Sequence, residues 1–356
     1  MIPYIELRDK YTYKAVAMVE PHECWLELSY NDVGEFEIYC LASPNNLKAL
    51  QKGRYVTIPN KPYIWVITSV QYTFTAGGAR MISARGYEAK WLLHKRCILT
   101  PKEKNGTFST VIYGLVNDNM GGTLDDTNPR KIKGFTTDTN TLGGTLNEQV
   151  PRGNLLEFIT SLLKAYGYGH IATFENGVIK YKVIQGDNKK QSVRFSQSLD
   201  NLLASEYLTD DANLATFALV VSTVDDVDYV QNTDDDTGGV DRAEIIVESN
   251  LSTKYEDVNG NERELLIATN ATDLATYKWW LEKEGDLKLA EHLTADEASG
   301  EIDLANSHYT FAEDFFIGDL VTLQDEYFNF NKLVRINKYT FKQDANGYGE
   351  EAEYGG

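Results

Sequence analysis

Proton transfer near neutrality is histidine chemistry, and the sequence has five candidates: His22, His94, His170, His292 and His308. They are scattered, and neither a His-Glu-x-x-His zinc signature nor a Gly-x-Ser-x-Gly nucleophile elbow accompanies them. Each reads as a surface or internally bonded histidine. Asp234, Asp235 and Asp236, followed by Gly238 and Gly239, would suit a hard cation, but the glutamate that should close a calcium loop falls on Ile245. An exposed acidic hairpin tip is the expectation. Trp279 and Trp280 could stack against a sugar. Neighbours on a helix point about 100° apart, however, so core packing or a partner contact is favoured. Gly167-Tyr168-Gly169-His170 lacks the third glycine of a phosphate loop and follows a helical pattern, so it reads as a helix-ending turn. No carboxylate pair is marked by context as glycosidase machinery. The expectation is a protein that is not an enzyme, with no catalytic, cofactor or metal residues assigned.

The chain has 356 residues, 42% of them hydrophobic, enough to bury two or three cores. Apolar runs are far shorter than the ~20 residues that span a bilayer, and the first residues show no basic region leading into an apolar one. Neither a membrane span nor a signal peptide is expected. The balance of 53 acidic against 34 basic residues gives a net charge of −19, spread along the chain. Such a field repels phosphate backbones, which argues against nucleic-acid binding while leaving DNA free to pass without sticking. Three cysteines, Cys24, Cys40 and Cys97, lack zinc spacing and are too few for a disulfide scaffold, which fits folding in a reducing cytoplasm.

The elements that must carry any site are mostly strands. CWLELSYNDVGEFEIYC alternates on both sides of Asn31-Asp32-Val33-Gly34 and predicts a hairpin with one buried face. Pairing Leu28 with Phe36 would place Leu26 opposite Ile38 and Cys24 opposite Cys40, as two buried thiols rather than a disulfide. SPNNLKALQKG predicts a short helix closed by Gly53, and IWVITSVQYTF with ARMISARGY a second hairpin across Ala76-Gly77-Gly78. FSTVIYGLVNDNM has helical spacing, and the Gly- and Thr-rich stretch after it reads as an extended excursion. Asn154 can cap a helix over NLLEFITSLLKAY, ended by Gly167, and a hairpin turning at Asn176-Gly177 follows. Residues 193–222 read as strand, turn, strand; the next segment reads as a β pair around the acidic turn, then a helix broken or bent at Gly285.

One phrase occurs twice. GRYVTI, Gly53 to Ile58, is followed by QYTF ending at Phe74; GDLVTL, Gly318 to Leu323, is followed by KYTF ending at Phe341. Gly53 and Gly318, Val56 and Val321, Ile58 and Leu323, Tyr72 and Tyr339, and Phe74 and Phe341 are thereby paired as repeat positions. A short helix separates hairpin from phrase in the first copy, whereas 223–317 intervenes in the second, so the second copy carries an insertion.

The order of EFEIYC, GNLLEFITSLLKAYGYG, GVIKYKVIQGDNKKQSVRFSQSLDNLLASEYLTDDAN and HYTFAEDFFIGDLVTLQ followed by LVRINKYTF resembles the siphophage ReqiPepy-type tail protein family, a branch of phage baseplate-hub proteins. The resemblance implies a β-rich α+β fold with two related β-barrel-like tube domains and two smaller α/β decorating domains. These would be 1–99 and 193–222 with 301–356 for the tube, and 100–192 and 223–300 for the decoration. It implies a homotrimer whose two tube domains per chain mimic sixfold symmetry at the distal end of the tail. The expected partners are the distal tail protein and tail-tube end above and tip or receptor-binding proteins below. DNA would pass through a conduit in the virion, after assembly in the host cytoplasm. Family members often continue into fibre or hydrolase regions; the sequence ends at EEAEYGG, so no lytic activity is carried over. A receptor- or carbohydrate-binding tail component is the alternative.

Overall fold

The computed structural model describes residues 2, 4–74, 77–234, 236–303, 306–345 and 347–355. Strand alternation buries one face of the central long strands and leaves the other polar, as in Glu23–Ser29 and Glu35–Leu41. In the main sheet the long strands run in the order Leu202–Asp210, Ala295–Ile302, Gly347–Gly355, Phe330–Asp344, Glu23–Ser29, Glu35–Leu41, Arg80–Glu88, Ile64–Phe74, each antiparallel to the next. Tyr55–Thr57, Ile5–Arg8 and Ala15–Val19 extend one end, and Leu320–Asp325 and Arg194–Ser196 branch from Phe330–Asp344. One core runs beneath the sheet from Ile5 and Val56 through Leu26 and Phe36 to Phe341 and Tyr354.

The β-rich fold is as expected, but of the two β-barrel-like tube domains neither is a closed barrel: among the described residues no sheet closes on itself. The Phe330–Asp344 strand is the reason. Its first half pairs with Leu320–Asp325, but its second half turns to the N-terminal hairpin, with Tyr339 opposite Leu28 and Phe341 opposite Leu26. The second repeat therefore opens onto the first.

The N-terminal hairpin forms in a register two residues from the expected one, with Leu26 opposite Phe36 and Cys24 opposite Ile38. Cys24 also neighbours Gln343, Cys40 faces Ile82, and all three cysteines are free. The loop is longer than expected because Tyr30 bonds away from the hairpin: its N–H donates to Asn337 O and its carbonyl accepts His170 N–H. Burial pushes the Cys24 thiol up to about 12 and Cys40 up to about 11, which leaves both inert.

No hairpin forms over 193–222. Leu202–Asp210 pairs with Ala295–Ile302, and Phe217–Val224 leaves for a separate sheet, where it lies between Val227–Asn232 and Glu244–Glu248. The strands expected to pair around the acidic turn are thus separated by it. Its apolar run suits a central strand, whereas the mostly exposed Leu202–Asp210 suits an edge. The Ala271–Leu289 helix continues unbroken through Gly285, where a Cβ would lie 2.7 Å from Thr233 Cγ2 and 2.9 Å from Val220 Cγ2. Glycine there permits close helix-on-sheet packing rather than a break.

Other elements fall where their signals stand. Leu155–Tyr166 is helical, with Asn154 Oδ1 accepting from the N–H groups of Leu156 and Glu157 and Gly167 left-handed at φ 70°. Phe108–Asn119 is helical, though the excursion around it contains short strands, among them Lys102–Thr107 paired with Thr145–Val150. Gly169–Glu175 and Val178–Ile184 form their hairpin with Asn176 at φ 51° and Gly177 at φ 80°. The short helix is Pro44–Ala49, ending before Gly53. Of the expected Ala76-Gly77-Gly78 turn, Ala76 lies outside the described residues.

Tyr30 joins three parts of the chain. Its hydroxyl donates to Gln185 O at 2.8 Å, its ring lies under Arg335 at 5.0 Å, and Arg335 in turn donates to Gly318 O at 2.7 Å. A Cβ on Gly318 would meet the Tyr30 ring at 2.3 Å, whereas one on Gly53 would meet only Lys10 Cδ at 3.2 Å. Both glycines have positive φ, 83° and 89°. Gly53→Ala should therefore cost about 1–2 kcal/mol of backbone strain. Gly318→Ala should cost about 1–3 kcal/mol more through the crowded ring. Urea unfolding reads the difference, and equal losses would contradict the Tyr30 wedge.

Candidate functional site

The sheet face opposite the core is acidic. Strand parity and register place Glu23, Glu27, Glu35, Glu37, Glu206, Glu301, Asp344, Glu351 and Glu353 on it, against Lys338, Lys342 and Arg85. Its charges are laddered across strands. Lys338 Nζ lies 2.9 Å from Glu353 and 3.8 Å from Glu27, Lys342 Nζ lies 3.0 Å from Glu301 and also pairs with Glu351, and Arg85 lies 2.8 Å from Glu37. The ladder crosses the line where Phe330–Asp344 meets Glu23–Ser29, so both repeats share one surface. Glu27 is pushed up to about 7, by burial first, opposed by Lys338 and reinforced by Glu353 and Glu88. Two open clefts of about 380 and 550 Å³ lie here, one beside Glu206, Lys338 and Glu353, the other beside Glu23, Glu37 and Lys342. Neither is lined by histidine.

Perturbed groups can mark chemistry, and one cluster stands out. Lys90 Nζ lies 3.1 Å from Glu88 Oε2 and donates to His170 O at 2.9 Å, while Glu88 accepts from the N–H groups of Ser29 and Gly34. Burial holds Glu88 up, Lys90 down and the His170 imidazole well below its ordinary value. The Lys90 and Glu88 side chains are 0% and 1% exposed, so substrate has no access. They tie the first repeat to the 169–184 hairpin, a structural role.

Among the described residues no group of three or more His, Cys, Asp or Glu side chains is placed to hold a metal; Asp235 lies outside them. Trp280 is buried, its ring edge-on to Tyr255 at 5.1 Å, and Trp279 is 39% exposed, so the two do not share a platform.

The repeated phrases occupy corresponding strands. Gly53 N–H donates to Ile67 O and Ile67 N–H to Arg54 O; Gly318 N–H donates to Ile336 O and Ile336 N–H to Asp319 O. Val56, Ile58, Val321 and Leu323 are all buried. Tyr339 and Phe341 are buried too, but Tyr72 and Phe74 are 61% and 71% exposed. Aligned by hydrogen bonding, Tyr72 stands at the place of Phe341 and Phe74 at that of Gln343, two residues from the phrase match. The acidic face was not singled out from the sequence. Its signal was available in the alternating glutamates of ECWLEL and EFEIY and in EEAE, on the polar parity of strands otherwise read for their apolar side.

Residues 7–355 match the family model described as Siphovirus ReqiPepy6 Gp37-like protein. Among solved structures the chain is similar to the tail protein from Neisseria meningitidis MC58, with 12% identity, TM-score 0.57 and coverage of 99% of this chain and 96% of that one. It is also similar to the prophage MuSo2 43 kDa tail protein from Shewanella oneidensis, at 12% identity and TM-score 0.53, covering 99% and 97%. These likenesses show a shared β-rich tail-protein fold. No curated protein matches the chain.

Glu27 gives the face a direct electrostatic test. Because its folded value is raised, its ionisation disfavours the fold as pH rises from about 4.5 through about 7. Glu27→Gln removes that cost while Lys338 keeps Glu353. The variant should melt about 1–3 °C above wild type at pH 8. The gain should vanish near pH 4, where the carboxyl is protonated in both states. A loss at pH 8 would contradict the assignment.

Proposed function

The chain belongs to the Siphovirus ReqiPepy6 Gp37-like protein family, and on that premise we propose that it is a structural hub of a phage or prophage tail. Three copies form a ring in which two similar strand units per chain give six similar faces, matched to a sixfold tail tube. The ring joins the tube end and distal tail protein to the host-facing tip, forms part of the virion after assembly in the host cytoplasm, and lets DNA through during ejection. It does no catalysis. The ring-forming units are 1–99 and 193–210 with 295–356; 100–192 and 211–294 decorate the outside. That division moves the insertion to where Leu202–Asp210 and Ala295–Ile302 part.

The observation that carries this reading is the acidic face shared by both units. Turned inward, it repels phosphate over about 8 Å at physiological salt, so passing DNA finds no site at which to stall. The lysines present are each held between carboxylates, which leaves them little to offer a phosphate.

Mass photometry should give a particle near three times 40.1 kDa. The ring should leave duplex DNA unshifted on a gel at about 50 mM salt, and Glu351→Lys with Glu353→Lys should create a salt-sensitive shift. DNA binding by the wild-type ring would contradict the conduit reading.

A further inference from the structure

Phe217–Val224 is the central strand of the inserted three-stranded sheet, between Val227–Asn232 and Glu244–Glu248. One face of that sheet is covered. Ala218, Val220 and Ser222 point to the Ala271–Leu289 helix, where Tyr277 Oη lies 2.6 Å from Ser222 Oγ and Gly285 lets the helix settle onto Val220. The other face carries the bulkier apolar groups. Register puts Phe217 beside Glu244, Leu219 between Ile246 and Asn232, Val221 between Glu248 and Val230, and Thr223 beside Asp228. Phe217, Leu219, Val221, Val230 and Ile246 join none of the three cores, and Val230 and Ile246 are 42% and 73% exposed.

Two properties of the strand call for a second layer there. Phe217-Ala218-Leu219-Val220-Val221 is apolar on both parities, the pattern of a strand covered on both faces. Its pairing with Glu244–Glu248 is parallel, an arrangement characteristic of sheets packed on both sides. Helices are the usual cover for such strands, and one already lies on the inner face. The strand has eight residues, about 26 Å of length, which about 18 helical residues span.

The rim sets the charge of the occupant. Glu244, Glu248 and Asp228 border the apolar stripe. Arg242 is engaged within the chain: its guanidinium stacks on the Phe217 ring at 4.0 Å and its Nε donates to Glu244 at 2.6 Å. Asp228 accepts from Thr223 Oγ1 at 2.7 Å, and among the described residues no lysine or arginine pairs with Asp228 or Glu248. A second copy of this face would set carboxylates against carboxylates, and so would an anionic bilayer against the same rim.

We propose that this face docks an amphipathic helix of another protein, with an apolar stripe flanked by lysine or arginine, completing a helix–sheet–helix sandwich. Leu219, Val221, Val230 and Ile246 take the apolar stripe, and Glu248 and Asp228 take the flanking cations. The inference concerns the inserted module and does not depend on the ring.

Fluorescence anisotropy with the full chain tests it, using labelled peptides of about 18 residues. One carries a helical leucine stripe flanked by lysines, a second the same stripe flanked by glutamates, and a third the lysine composition in scrambled order. The lysine helix should bind at least about tenfold more tightly than either control and weaken as salt rises. Ile246→Lys and Glu248→Lys alter exposed side chains, so each should melt with wild type while weakening binding about tenfold or more. No binding by the lysine helix, equal binding by a control, or binding that survives both substitutions overturns the proposal. Dimerisation of wild type that Ile246→Lys abolishes would assign the face to a second copy. Flotation with phosphatidylcholine vesicles that the same variant abolishes would assign it to a membrane. Either result overturns the helix, and none of these outcomes touches the ring, which particle mass decides.

Discussion

The antiparallel pairing of Phe330–Asp344 with Glu23–Ser29 is the contact on which the rest of the structure depends. It brings together strands from opposite ends of the chain, a closure with a large entropic cost that only a sizeable gain can offset. The gain lies on the core face, where Tyr339 and Phe341 are sealed against Leu26, Leu28, Phe311 and Tyr63. On the polar face one ion pair, Lys338 with Glu27 at 3.8 Å, crosses the seam. Tyr30 locks the end of the pairing against the 169–184 hairpin and Gly318, so the seam and that hairpin are fixed together.

This single seam turns two strand units into one surface. Without it the first repeat would end at Glu23–Ser29 with an open edge, and the second would expose Tyr339 and Phe341 much as the first exposes Tyr72 and Phe74. The contrast in burial between those aromatic pairs is informative because their strands carry the same hydrogen-bond pattern. At the one equivalent position, Tyr72 against Phe341, what differs is the neighbour. The buried aromatic pair records a seam made inside the chain.

Much of this was legible in the sequence wherever the signal was local. The helix over Leu155–Tyr166 and the Asn176-Gly177 hairpin each have a steric or hydrogen-bonding cause within a few residues. The misread features share a different origin. The Cys24 register depends on Tyr30 bonding to Asn337 and His170, far away in sequence. The fate of Phe217–Val224 depends on Glu244–Glu248 pairing beside it, and the role of Gly285 on a sheet that approaches it from outside the helix. The Tyr-Thr-Phe phrases matched as letters but stand two residues apart in the ladder, because strand pairing and not the motif sets the register. The acidic face was present as alternating glutamates, yet a single strand cannot reveal that its polar parity will be continued by strands from another repeat.

The most direct measurement is a map of the assembled particle by electron cryomicroscopy. The account predicts that about 60° of rotation on a threefold axis carries one strand unit onto the other, with Val56 over Val321 and Ile67 over Ile336. Glu27, Glu351 and Glu353 should then face the central channel. Units related by some other rotation, or a channel lined by lysine and arginine with the acidic face turned outward, would contradict it.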